Sequence, residues 1–162
     1  MIKLVSTVGF IIINEENKIL FVKRLKEGEN EKSTDNNLLL SEKVEGNSDG
    51  GEWSILFETV EEDENSRDVI KREVKKTLNC EVGDCNYFNL YFYDISDSFI
   101  KKAGYFYGTI VGEIKEDNPF LKTMWVNLES SELDGLNLIP EQREALNDFI
   151  NFFQDKFLEK ME

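Results

Sequence analysis

The chain has 162 residues, of which 33 are acidic and 19 basic, giving a formal net charge of −14, and it contains no histidine. A field of that sign repels polyanions and argues against nucleic acid as a partner. The missing imidazole excludes a Ser-His-Asp triad, a histidine base and, with only Cys80 and Cys85 present, a zinc centre of four cysteine and histidine ligands.

The length suits one domain over residues 1–162 with a single core, and the many Phe and Tyr residues supply that core. No apolar run approaches a membrane span, and the N-terminus lacks the form of a signal peptide. A cytoplasmic protein with reduced cysteines and no membrane partner is expected. Residues 2–14 and 19–24 read as two strands around the polar turn Asn14–Lys18. Next comes an acidic, glycine-containing insert at 26–52, expected to be a mobile surface loop, with Leu38–Leu40 as its apolar exception.

Asn65 is placed to cap a helix over 66–79, with Val69, Ile70, Val74 and Leu78 as its apolar stripe and Glu73, Lys76 and Thr77 facing elsewhere. Strands follow near Asn86–Ile95 and Ile100–Ile114, the second broken or bulged near Gly104 and Gly108. In the first of these, Tyr87, Asn89, Tyr91 and Tyr93 alternate with Phe88, Leu90 and Phe92. The tyrosine face pairs with Tyr105 and Tyr107 and either stacks a ligand or fills the core, the second reading being favoured. A strand at Phe120–Leu128 and a helix from Pro140 to about residue 159 complete the chain.

Glu64, Arg72 and Glu73 stand at the spacing G-x5-E-x7-R-E-U-x-E-E-x-G-U, where U is aliphatic. With the hairpin Val8–Arg24, Trp53 just ahead, and Met124–Leu133 followed by Leu136–Arg143, the chain resembles the Nudix hydrolases. That resemblance implies an α/β/α sandwich with a mixed β-sheet between helices. It also implies Mg2+-dependent cleavage of nucleoside diphosphate-linked compounds, a nucleotide-like ligand and, in many members, a homodimer. It assigns Glu64 and Arg72 to a salt bridge bracing loop against helix.

Where the pattern has its adjacent pair of glutamates, however, this chain has Lys76 and Thr77, and the opening glycine is Glu58. Residues at i, i+3 and i+4 share a helix face. Three carboxylates there would hold a hard cation; Glu73, Lys76 and Thr77 sum to no net charge and hold it poorly. The expected function is therefore a binding or regulatory module whose metal-dependent hydrolysis is lost or impaired, with Arg24 and Lys76 as phosphate contacts. The alternative is an active Mg2+-dependent pyrophosphohydrolase with a displaced metal site. In that case Glu73 is base or ligand, among carboxylates at 58, 61, 62, 63 and 64. A structural or protein-binding domain is the third reading.

Overall fold

Alternation along the first strand divides the interior into two apolar layers. The computed structural model describes residues 2–24, 52–115, 119, 121–128 and 131–161, with the side chains of 131, 132 and 157–161 outside that description. The insert expected at 26–52 therefore lies outside the described residues, Glu52 excepted. Strand β1 (Lys3–Ile12) turns into β2 (Lys18–Arg24). Within the turn, Asn14 Oδ1 accepts from the amides of Glu16 and Lys18 at 2.9 and 3.0 Å, and Asn17 adopts a left-handed φ of 63°. Then come β3 (Leu56–Thr59), helix α1 (Ser66–Leu78), β4 (Glu81–Ser96), β5 (Phe99–Val111), β6 (Leu121–Asn127), short helix α2 (Ser131–Gly135) and α3 (Pro140–Met161).

Four strands form one sheet in the order β3-β1-β5-β4, with β1 parallel to β5 and the other neighbours antiparallel. Strands β2 and β6 form a separate antiparallel pair. On one side Val8, Phe10 and Ile12 of β1, with Leu20 and Val22 of β2, pack against Val69, Ile70, Val74 and Leu78 of α1. On the other, Ile11, Ile13, Ile19 and Phe21 pack with Ala103 and Tyr105 of β5 and with Ala145, Leu146 and Phe149 of α3. The result is the expected sandwich, a mixed sheet between the box helix and the C-terminal helix. Among the described residues, no helix is long and apolar enough to cross a membrane.

Both ends of α1 follow the sequence. Asn65 Oδ1 accepts from the amides of Arg67 and Asp68, and Asn79 closes the helix at φ 60° with its N–H on the Lys75 carbonyl. Glu73 departs from expectation. It is not on an outward face but buried beside the apolar stripe, at 3% exposure.

Three further corrections come from the strands. Leu56-Phe57-Glu58, to which the sequence assigned no element, belongs to β3, paired with Gly9 and Val8 of β1 across Phe57 and Glu58. Strand β5 runs unbroken past Gly104 and Gly108, and the irregularities sit in its partner β4, between Val82 and Cys85, Tyr87 and Asn89, and Asp94 and Ser96. An extra residue in one strand reverses the alternation beyond it. Tyr87 consequently meets Phe106 on the α1 side, whereas Phe88 meets Phe149 and Phe152 on the α3 side, the face that also carries Tyr91 and Tyr93. Tyr91 lies edge-on to Tyr105 with ring centroids 5.5 Å apart, so Tyr91, Tyr93, Tyr105 and Tyr107 pack into the core while Tyr87 stays exposed.

Two outcomes follow from this packing. A Cβ at Gly108 would lie 1.8 Å from the Asp84 carbonyl oxygen, whereas one at Gly104 meets only Leu90 Cδ1 at 3.9 Å. Gly108→Ala should then lose about 1–3 kcal/mol or more in urea denaturation, with Gly104→Ala close to unchanged. Burial raises the phenols of Tyr91 and Tyr105 above their ordinary range and pushes Tyr93 up to about 12, with Glu144, Glu141 and Asp148 adding to the effect. The unfolded chain ionises first, so this stabilisation is complete below about pH 10 and falls as pH climbs through the folded values. Melting temperatures measured between pH 9 and 12 should drop accordingly, and Tyr93→Phe should flatten the drop.

Candidate functional site

Helix α1 brings position 73 to the edge of its buried stripe and leaves position 76 in solvent, one turn apart on one side. A carboxylate removed from water requires compensation, and Glu73 obtains it from outside its own helix. Arg24, the last residue of β2, donates from Nη2 to Glu73 Oε2 at 2.8 Å and to Thr77 Oγ1 at 3.3 Å. Thr77 Oγ1 donates to the same Glu73 oxygen at 2.9 Å. The Glu73 side chain is 4% exposed and that of Arg24 48%. Glu73 Oε1 is buried without a hydrogen-bond partner among the described residues. It belongs to a residue lining a cavity of about 10 Å³ with Val8, Phe10 and Leu56, space for about one water.

This donor set does not fit a resident magnesium ion. One of Glu73's oxygens is committed to a guanidinium and a hydroxyl. Lys76 is exposed one turn away and makes no ion pair among the described residues. Nor do any three Asp, Glu or Cys side chains converge on a metal-holding geometry among those residues. A hard cation needs several oxygen ligands or few ligands without competing positive charge, and neither condition is met.

Two larger hollows open beside Phe57 and Ile139, one of them reaching Arg24. One, of about 180 Å³, is lined by Val22, Arg24, Glu52, Ser54, Ile55, Phe57 and Ile139. The second, about 100 Å³, shares Phe57 and Ile139 and adds Lys101, Tyr105, Glu141 and Gln142. Lys101 Nζ donates to Glu141 Oε1 at 2.6 Å in that second hollow. Gln142 fastens the wall: its Oε1 accepts from the Ile55 amide at 3.0 Å, and its Nε2 donates to Ser54 Oγ at 3.3 Å. A cleft of about 800 Å³ lies elsewhere and carries Glu15, Glu16 and Glu113 beside Trp125. Those carboxylates repel an anion.

No family model and no curated protein matches the sequence. Solved structures do match. The chain is 17% identical to a MutT from work on Aliivibrio salmonicida and Vibrio cholerae, with a TM-score of 0.64 over 92% of this chain and 98% of that one. A MutT NUDIX hydrolase from Burkholderia pseudomallei gives 16% identity and a TM-score of 0.62, covering 90% and 97% of the two chains. MutT from Methanosarcina mazei gives 19% and 0.64, over 91% and 94%. The chain has the Nudix fold.

At these identities the likeness establishes the fold and leaves activity to the residues themselves. Within this Nudix fold, Glu64 and Arg72 meet as the sequence spacing implied. Arg72 Nη1 donates to Glu64 Oε2 at 2.6 Å, while Glu64 Oε1 accepts from the Glu61 amide at 2.9 Å, so one carboxylate joins helix to loop. The pair is solvent-exposed, not buried, with side-chain exposures of 53% for Arg72 and 24% for Glu64. It is therefore a positional brace and not a large source of stability. Arg24, expected to touch phosphate, is found on Glu73. Glu58 uses its carboxylate on the neighbouring Thr59 amide, and Glu61, Glu62 and Asp63 are exposed.

Sequence reasoning missed the bridging part of Thr77, whose hydroxyl was read only as an absent carboxylate. It missed Gln142 and the Lys101–Glu141 pair as well. Pro140 was the available signal for the latter two, since it puts Glu141 and Gln142 in a helix's first turn. The Arg72 hydrogen bond and then the Glu61 amide hold the Glu64 carboxyl below its ordinary range. That bracing is present above the usual carboxylate titration and lost as pH falls through the depressed value. Glu64→Gln should accelerate hydrogen exchange at the Glu61 amide while leaving the global unfolding midpoint nearly unchanged. An exchange rate equal to the parent's would remove the bracing role.

Proposed function

We propose that this Nudix-fold chain is a binding or regulatory module for a nucleotide-like phosphorylated ligand, with metal-dependent hydrolysis lost or strongly impaired. The observation that carries the reading is the capture of Glu73 by Arg24 and Thr77, with Lys76 one turn away. One carboxylate faces two cations where a magnesium site needs anionic oxygens. Without the ion there is no Lewis acid to polarise a phosphoryl oxygen and no metal-activated water. Binding demands less: a cationic group for phosphate and a partly apolar hollow for the rest of the ligand, which Arg24, Phe57 and Ile139 offer, with Lys76 exposed on the neighbouring helix. Phe57 and Glu58 support this reading too, since β3 replaces a glycine-rich approach with side chains.

A second reading rests on the unpartnered Oε1 of Glu73. That oxygen is available to a metal or a water, as an active hydrolase with a displaced site would require. Calorimetric titration of magnesium separates the two. The parent protein should bind magnesium no better than about millimolar. Lys76→Glu combined with Thr77→Glu should strengthen binding by roughly tenfold or more, the equivalent of about 1.4 kcal/mol. Tight magnesium binding by the parent, with pyrophosphatase turnover abolished in Glu73→Gln, would overturn the proposal in favour of the second reading.

A further inference from the structure

We infer that Arg24 takes the place of a divalent cation at Glu73, and that Glu73 in turn restrains Arg24. The site then binds a diphosphate without metal, and binds it more tightly when Glu73 loses its charge. This rests on the reading that the hollow beside Arg24 receives a phosphorylated ligand, and it adds what neutralises that ligand and what limits its affinity.

The buried Glu73 carboxylate needs a counter-charge, and the guanidinium 2.8 Å from Oε2 supplies it. A guanidinium has five N–H donors in a rigid fork. Among the described residues both hydrogen bonds of Arg24 leave from Nη2, and Nη1 and Nε meet no acceptor there. The side chain is half exposed and lines the 180 Å³ hollow. That is the form in which arginine receives phosphate oxygens, two parallel N–H groups at a time.

Its neighbours fix the balance of the local field. Arg72 is occupied by Glu64, but Lys76 is exposed without an ion pair among the described residues. With Arg24, two cations stand against Glu73 and against Glu52 on the wall of the hollow, a balanced spot on a chain of net charge −14. In a three-carboxylate site a diphosphate needs metal to approach, because carboxylates and phosphate repel each other. Here the cations belong to the chain, and a divalent ion would be repelled by them.

Glu73 opposes ligand binding in two ways. Its negative charge cancels part of the Arg24 field, and its hydrogen bond holds Nη2 away from phosphate. Glutamine keeps the shape and an acceptor but drops the charge. The sign of the effect is diagnostic. Where a glutamate holds a catalytic metal, the same substitution weakens binding of the metal-bound phosphate; here it strengthens binding of the free one.

The experiment is calorimetric titration of inorganic pyrophosphate in EDTA into the parent protein, Arg24→Gln, Arg24→Lys and Glu73→Gln, with melting curves confirming that each is folded. A parallel titration places the parent in excess magnesium. The inference expects binding by the parent in EDTA. Arg24→Gln should weaken it by about tenfold or more, Arg24→Lys should keep part of it, and Glu73→Gln should tighten it by about three- to tenfold. Binding only in magnesium would sink the inference and leave the phosphate-site reading standing. So would EDTA binding indifferent to Arg24→Gln, or weakened by Glu73→Gln in a folded variant. Absence of binding in either buffer would overturn both. The comparison of buffers uses the parent alone, so it decides even if the buried substitution at Glu73 prevents folding.

Discussion

Burial of β1 on both faces is the constraint that places every other element. The strand lies between β3 and β5, so its backbone polar groups are spent on two neighbours. Its side chains alternate between two cores: Val8, Phe10 and Ile12 toward α1, Ile11 and Ile13 toward α3. A one-residue slip would exchange those sets and put each against the wrong helix. Gly9 marks how closely the layers approach. A Cβ there would lie 3.0 Å from the Tyr105 ring, so the tyrosine occupies the space a side chain would need. Strand β2 repeats the division with Leu20 and Val22 against Ile19 and Phe21, and it thereby delivers its last residue, Arg24, to the box helix.

What holds α1 in shape is separable from what its polar face does. Capping by Asn65 and Asn79, the Glu64–Arg72 brace and the stripe of Val69, Ile70, Val74 and Leu78 fix the helix and its docking. None of them requires a carboxylate at positions 76 or 77. Burial of the stripe contributes favourable free energy with area removed from water, whereas an exposed residue such as Lys76 contributes little to folding. A chain can therefore keep this sandwich while its site changes sign. Glu73 is the point of contact between the two, since it is buried like a core residue and charged like a site residue. Arg24 and Thr77 resolve that conflict for one of its oxygens and leave the other facing a space about the size of a water.

Strand β4 shows where pattern reading breaks down. The run from Tyr87 to Tyr93 alternates perfectly in sequence, yet the bulge between Tyr87 and Asn89 sends Phe88 to the α3 side along with Tyr91 and Tyr93. A bulge arises from the match of two strands, and Asp84 opposite Gly108 illustrates the same dependence: the glycine is visible in sequence, its partner is not. Strand β3 went unread for a related reason. Its four residues carry no periodicity of their own and form a strand because β1 offers an edge to pair with.

By itself the sequence determined α1 with both its caps, α3 and the hairpin of β1 and β2, through a 3.6-residue stripe and the asparagines at either end of α1. Its resemblance to the Nudix hydrolases carried the sandwich class and the meeting of Glu64 with Arg72. The sequence also determined that the helix face at 73, 76 and 77 carries no net charge. Only the tertiary structure decided where Arg24 goes, that Glu73 is buried, and that Ser54, Phe57, Lys101, Glu141 and Gln142 wall the neighbouring hollows. Arg24 and Glu73 are 49 residues apart in the chain. No local pattern links them, and their contact exists because β2 turns Leu20, Val22 and Arg24 toward α1, where a buried carboxylate needs a cation to offset its lost solvation.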